Sequence, residues 1–452
     1  MNRRSRVLRR IAAAAALAAV VLAPRTSLAQ DSLATGPLTL GDAARLASRQ
    51  SASALEAQSR TDAADARIAQ RRADLLPDLS ATASQNGRTY NSATFGFSFP
   101  GGFFDPNGSI IGPANTYDLR AHLSQTLVNV AAIKRVGSAK TAAEASRSDA
   151  DNVAELAALR AASAYIRTQR GKALIVARSA DSVLADSLLS IANDQLKAGV
   201  GVALDVTRAQ SQAASVRAQL IASRAEYDRQ RVDLVRSLNL PVGTPITLAD
   251  SLGSLPVADT LPNEQQALAL ALDRRPDVRA LREQLLATQQ GVSAIKAENI
   301  PSVDAFGDDG WSAKNGGSVL PTYTWGVQLT WAAFDGGRRQ ARVEEQVAAE
   351  REIDIRLKDL TEQTASDIRT AMLDLESARE QLAAARERLR LAEQEVAQSR
   401  DRFTAGVASN ADVITASFSL NSSRSDFVDA LASYQAARIE LAHAEGSVTS
   451  LP

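Results

Sequence analysis

The chain repeats itself, and few folds can accommodate the repeat. Lys197-Ala198-Gly199-Val200 leads to Leu204-Asp205-Val206, and Thr404-Ala405-Gly406-Val407 leads to Ala411-Asp412-Val413. Both pairs stand 207 residues apart (198 to 405, 205 to 412), and the same offset carries Tyr227 onto Tyr434, Arg231 onto Arg438 and Leu234 onto Leu441. A gapless register over roughly forty residues marks a tandem duplication. Further copies flank it: Leu75-Leu76-Pro77-Asp78-Leu79 answers Asn299-Ile300-Pro301-Ser302-Val303, and Thr126-Leu127-Val128-Asn129 answers Ala332-Ala333-Phe334-Asp335. A unit of about two hundred residues is too long for a solenoid repeat, so each copy is a small domain. The expected divisions are a leader over 1–29, a first repeat over 30–240, a connecting segment over 241–262 and a second repeat over 263–448.

The leader has an export pattern. Arg3, Arg4, Arg6, Arg9 and Arg10 precede a short apolar run from Ile11 to Ala23, and Ser27-Leu28-Ala29 fits a small-x-small cleavage site before Gln30. The run is too short to span a bilayer as a helix. Six of the 51 basic residues lie in this segment, leaving 45 against 51 acidic ones, so no basic footprint for nucleic acid is expected. The chain has no cysteine, which excludes a disulfide framework and a lipid-modified N-terminal cysteine. No later segment offers eighteen uncharged apolar residues. Export then ends in secretion, in the periplasm or in a β-barrel.

Aromatics make up only 4% of the chain, too few for a thick core and in keeping with long packed helices. From about Arg338 to Phe403 there is no proline or glycine, and Ile368, Leu375, Leu382, Leu389, Val396 and Phe403 recur every seven residues. Ala371, Ala378, Ala385 and Ala392 follow three residues behind, giving a seam of alternating large and small knobs. The helices over about 131–197 and 338–404 are each roughly 100 Å long. Shorter helices follow the glycine-marked tips, such as Leu204 to Asn239, and another helical pattern runs from Leu40 to Leu76. Two short helices end to end match one long one, so each copy builds a slab one long helix tall.

Between short and long helix the period changes to two. Tyr323, Trp325, Val327, Leu329 and Trp331 alternate with Thr324, Gly326, Gln328 and Thr330, and Tyr117 to Leu127 alternates likewise. An apolar face with aromatic ends fits a membrane-facing β-strand. Two more strands, near 77–89 and 301–311, make four per chain. Four strands cannot close, and open edges in lipid are prohibitive, so the barrel must be pooled between chains; three chains give twelve strands. The Phe95–Phe104 run is read as a surface loop or lid.

In these features the chain resembles the TolC family of outer-membrane efflux proteins, over essentially its whole mature length. The marks are the duplicated helix–strand–strand–helix order, Leu-Pro at the first strand, the Phe334-Asp335-Gly336-Gly337 turn and the paired Ala-Gly-Val…Asp-Val tips. The resemblance implies a mainly α fold with membrane β: a homotrimeric, twelve-stranded β-barrel in the outer membrane above a long α-helical periplasmic barrel. It implies an exit duct of a tripartite efflux or type I secretion system, passing drugs or other small toxic compounds without a cofactor. Its partners would be a periplasmic adaptor, an inner-membrane transporter and outer-membrane lipid. Carried over residue by residue, Ala198, Gly199, Val200, Leu204, Asp205 and Val206 form one adaptor-docking tip, and Ala405, Gly406, Val407, Asp412 and Val413 the other. The periplasmic gate would fall on Asp412, Phe403 and Thr415. Asp412 would form a carboxylate ring, Thr415 departs from a second acidic position, and Phe403 would give an apolar latch. Asp412 read as the N-cap of its helix stands beside the gate reading.

No enzyme is visible: His122 and His443 lie far apart and read as surface polar residues, and no nucleophile motif or phosphate loop appears. The alternative function is a secreted coiled-coil scaffold without a pore, which explains the heptads but not the period-two segments.

Overall fold

The computed structural model describes residues 36–95, 108–257, 263–314, 317–405, 407 and 409–451. The expected leader, Gly406 and the 96–104 part of the phenylalanine-rich run lie outside the described residues. Leu38–Pro452 forms one compact unit. Its order is α1 (Leu40–Gln50), α2 (Ala52–Ala73), β1 (Asp78–Asn91), β2 (Ile110–Val128), α3 (Val130–Lys197), α4 (Ala203–Ser237), α5 (Glu264–Arg274), α6 (Pro276–Ala297), β3 (Ser302–Lys314), β4 (Leu320–Thr330), α7 (Arg338–Thr404) and α8 (Asn410–Ala444).

The two long helices, 68 and 67 residues, begin differently: Asn129 is the N-cap of α3, whereas Gly337, at φ +85°, precedes α7 without a side-chain cap and Asp335 stands two residues before it. Asn129 Oδ1 accepts the Ala132 amide at 2.9 Å, and Asp335 accepts the amides of Gly337 at 3.2 Å and Arg339 at 3.1 Å. These bonds satisfy donors that the first helical turn leaves open. The expected seam of α7 is buried at Ile368, Ala371, Leu375, Ala378, Leu382, Ala392, Val396 and Phe403.

The helix expected from Leu40 to Leu76 is two helices. Ser51 ends α1 and caps α2, its hydroxyl accepting the Ala54 amide at 3.2 Å. The second copy breaks at the corresponding place by other means. Arg275 takes an extended conformation because Pro276 follows it, and Pro276 supplies the first turn of α6. The 11- and 22-residue lengths of α1 and α2 recur in α5 and α6.

Helix α3 is flanked by α2 and α6 along one half and by α4 and α8 along the other; α7 is flanked by α6 and α8. The layer order is therefore α2–α3–α6–α7 in one half and α4–α3–α8–α7 in the other, and each long helix runs through both. The largest apolar cluster sits where the halves meet, around Tyr165, Leu234, Leu238, Ile368, Tyr434 and Ile439. Its polar atoms are matched. Tyr165 Oη lies 2.9 Å from both Leu38 O and Asp250 Oδ2, its one proton serving either acceptor, and the Leu40 amide donates to the same Asp250 oxygen at 3.0 Å. Burial holds the Tyr165 hydroxyl well above its ordinary pKa. Glu155 ties down the C-terminal turn by accepting the Val448 amide at 3.1 Å and the Thr449 hydroxyl at 2.6 Å.

The four strands form one antiparallel sheet in the order β1-β2-β3-β4. Strand β2 starts at Ile110, seven residues before the alternation visible from Tyr117. Pro113 masked this extension, because proline is excluded from regular ladders. It sits at an irregularity where pairing passes from Arg88↔Ala114 to Tyr90↔Ile111.

Candidate functional site

Three regions carry the functional geometry: the sheet, the paired helical tips and the junction between sheet and helices. Tyr323, Trp325, Val327 and Leu329 of β4, and Trp331 just after it, alternate along the chain and are 60–79% exposed. Tyr117, Leu119 and Leu123 of β2 and Trp311 of β3 are exposed as well. The opposite face is polar and internally bonded. His122 Nδ1 lies 2.8 Å from Asp308, Thr126 Oγ1 donates to Asp304 at 2.9 Å, and Arg120 pairs with Asp118 at 3.0 Å. One large ring breaks that face: Phe306 lies across Gly326, where an added Cβ would stand 2.9 Å from the ring. That close approach is why a glycine interrupts the large side chains of β4.

At the first tip, Ala198 ends α3, Gly199 takes φ +74°, the Val200 amide bonds Gln195 O at 3.0 Å and the Gly199 amide bonds Leu196 O at 3.1 Å. These two bonds close a Schellman turn, which requires the left-handed residue that glycine supplies. The second tip makes the corresponding outer bond, Val407 N to Arg402 O at 3.0 Å. Val200 and Val407 project from the turns, 80% and 67% exposed, and Leu204 is exposed beside them. Val206 and Val413 point the other way and are buried. The tips are stitched together where Asn410 Nδ2 donates to Asp205 O at 2.9 Å.

The gate candidates separate. Asp412 and Thr415 are exposed, one turn apart on α8. Asp412 is not the N-cap of α8. Ser409 is, and Asp412 stands at N3 of a capping box, accepting the Ser409 amide at 3.1 Å while Ser409 Oγ accepts the Asp412 amide at 3.3 Å. The equivalent Asp205 follows Val202, which cannot cap, and pairs instead with Arg208 at 3.8 Å. Phe403 is only 4% exposed, packed with Leu188 and Val413.

Sequence reasoning missed a charged cluster higher between α3 and α8. Asp181 is fully enclosed and accepts from Arg424 at 2.7 Å and Arg178 at 3.4 Å; Asn421, its amide turned to donate, reaches it at 2.9 Å. His443 is likewise no surface residue: it is half-buried, and its Nδ1 is enclosed with no partner among the described residues.

At the junction, Glu298 of the α6–β3 turn binds Arg135 of α3 at 2.8 Å and Arg342 of α7 at 2.7 Å. Desolvation raises its pKa, but the hydrogen bonds from the two guanidinium groups outweigh it and hold the carboxyl below the usual glutamate range. Arg339 spans the same corner, donating to Ala332 O at 2.6 Å and to Asn299.

A family model described as outer membrane efflux protein matches residues 44–240 and 267–447, the two copies of the repeat. The pyoverdine export outer membrane protein OpmQ of Pseudomonas putida is 26% identical over 224 residues, 48% of this chain and 45% of its own length. The toluene efflux pump outer membrane protein TtgF of Pseudomonas putida is 29% identical over 123 residues, 26% of this chain and 24% of its own. The chain thus spans less than half the length of these relatives. Among solved structures, the outer-membrane channel OprN is similar with a TM-score of 0.72 at 20% identity, over 90% of each chain. At that identity the likeness carries the fold, which is TolC-like.

Proposed function

This chain belongs to the outer membrane efflux protein family, and from that premise we propose that three copies of it close into an outer-membrane exit duct for small molecules. One observation carries the reading: the sheet ends on two unpaired strands, β1 and β4, with one face that is mostly apolar, interrupted by Asp309 and Gln85. An open edge exposed to lipid leaves backbone groups unsatisfied at several kcal/mol each (~). The helical layer is open in the same way, with α2 and α4 at one side and α7 at the other. Joining β4 of one copy to β1 of the next closes strands and helices together. The outward tryptophans and tyrosine then meet lipid, and the Asp304, Asp308 and Arg120 face lines a wet lumen. A pore-free scaffold gives the sheet no role.

The duct performs no chemistry of its own. The valines and Leu204 at the paired tips offer a shallow apolar surface to a periplasmic adaptor, which couples the duct to an inner-membrane transporter. Three Asp412 carboxylates ring the narrow end and favour cations there. Each also supports its own helix start from N3 by accepting the amide of the Ser409 cap, so the gate residue has a second, local role. Phe403, enclosed within its own chain, fixes where the tip packs and acts as an apolar latch. The relatives named for pyoverdine and toluene handle small organic molecules, and a wide polar duct suits that class without selecting within it.

Native mass measurement of the detergent-purified chain, followed by single-channel recording in planar bilayers, tests this. The expected result is three chains per particle and discrete conductance. A monomer with no conductance refutes it.

A further inference from the structure

The backbone passes between strand and helix four times, and each crossing carries the same two features. At the α2–β1 crossing Leu76 is 61% exposed, with exposed Arg72 four residues earlier. At the α6–β3 crossing Ile300 is 51% exposed, with exposed Lys296 four residues earlier. The helical winding continues through both turns, Leu76 N bonding Ala73 O and Ile300 N bonding Ala297 O, each at 3.0 Å. Residues four apart therefore share a side. At the β4–α7 crossing Phe334 is 89% exposed and Arg338 opens the helix; at β2–α3, exposed Ile133 and Lys134 do the same.

These cations are spare. Most acidic groups of the junction are already engaged: Glu298 by Arg135 and Arg342, Asp335 by Arg339 at 3.3 Å, and Asp74 lies 4.0 Å from Arg71, while exposed Asp78 at the start of β1 makes no ion pair among the described residues. Arg72, Lys134, Lys296 and Arg338 make no ion pair with the described residues. An apolar rim with positive charge just beyond it matches the boundary of a bilayer, where hydrocarbon gives way to phosphate and long basic side chains reach the headgroups. The charges are spread one per crossing rather than gathered at a point, which suits a layer of headgroups rather than one free anion.

We infer that Arg72, Lys134, Lys296 and Arg338, each beside its exposed apolar neighbour, bind the headgroups of anionic phospholipids in the periplasmic leaflet around the duct. The inference rests on the membrane reading above. It makes the junction a lipid-selective collar, setting the depth of the barrel by charge as well as by its apolar band.

Trp331 reports on this rim, because its indole is tethered there by donating to Asn299 O at 3.2 Å. The full chain with Trp311→Phe and Trp325→Phe is reconstituted in phosphatidylcholine vesicles containing either brominated phosphatidylglycerol or brominated phosphatidylcholine. Quenching of Trp331 measures local enrichment. One cation near an anionic surface favours it by about fivefold, so phosphatidylglycerol should be enriched at least about fivefold, and half-molar salt should erase most of this. Arg72→Gln/Lys296→Gln/Arg338→Gln, with unchanged helix content and particle mass, should bring the ratio down to the small excess that Lys134 alone leaves. Equal quenching by the two lipids in the parent chain, or an unchanged ratio in the triple variant, overturns the collar. Quenching by neither lipid overturns the membrane reading itself.

Discussion

Asp181 measures how firmly α8 is held to α3. Its carboxylate is wholly enclosed, while the side chains of Arg178 and Arg424 keep 19% and 23% of their exposure. Removing one partner of a fully buried pair costs about 3–5 kcal/mol, mostly because the other charge is stranded. Asp181→Ala strands only the two arginines, which can turn towards water, so its cost should be about 2–3 kcal/mol. Arg424→Met leaves the enclosed carboxylate only Arg178 at 3.4 Å and the Asn421 amide, and should cost at least as much as Asp181→Ala. The double variant Asp181→Leu/Arg424→Met should recover much of the loss, since an apolar pair of similar volume replaces a buried ion pair at little cost. Hydrogen exchange read by mass spectrometry over α8 residues 417–428 is the assay. A local opening made easier by 2–3 kcal/mol speeds exchange by about 30- to 150-fold there. If Asp181→Ala changes exchange less than about threefold, or if the two single losses simply add in the double variant, the cluster does not hold these helices together.

Other expectations follow from the junction and the tips. Glu298 has a depressed native pKa, so its contribution is present above the unfolded value of about 4.3 and is lost as pH falls through that value towards the native one. Exchange at the α6–β3 turn should therefore quicken below about pH 4.5 in the parent chain and show no such step in Glu298→Gln. Gly199→Ala should cost about 1 kcal/mol, from its φ of +74° alone, because nothing lies within 4 Å of an added Cβ. The Val200 and Gly201 amides should then exchange about fivefold faster, and less so in Gly199→Asn. Asp412→Asn should weaken cation preference in bilayer recordings, whereas Ser409→Ala should loosen the start of α8 by about 1 kcal/mol and leave the preference intact; matching effects from both would reduce Asp412 to a capping residue.

Much of this architecture is legible in the letters. The ends of α3 and α7 fall within a residue of the expected spans, because Asn129 and the Gly199 turn bracket the first, and a proline- and glycine-free heptad run between Gly337 and Gly406 defines the second. The tip at Gly199 is legible for the same reason. The capping box was also readable, since Ser409 stands three residues before Asp412; reading Asp412 as the cap itself placed the helix start too late. Other contacts were hidden by distance along the chain. Asp181 and Arg424 stand 243 residues apart, and Glu155 and Thr449 stand 294 apart, in helices where most charges are solvated. Nothing local distinguishes Asp181 from its exposed neighbours. The break at Ser51 was invisible because a lone serine among alanines and serines reads equally well as helix interior.

That break has a wider consequence. The two elbows stand at equivalent positions and divide their helices into the same lengths, yet a hydroxyl forms one and a pyrrolidine ring the other. After the gene doubled, the bend outlived the residues that made it. What recurs is the place of the break and the two lengths it sets, and letter-by-letter comparison of the halves passes over it.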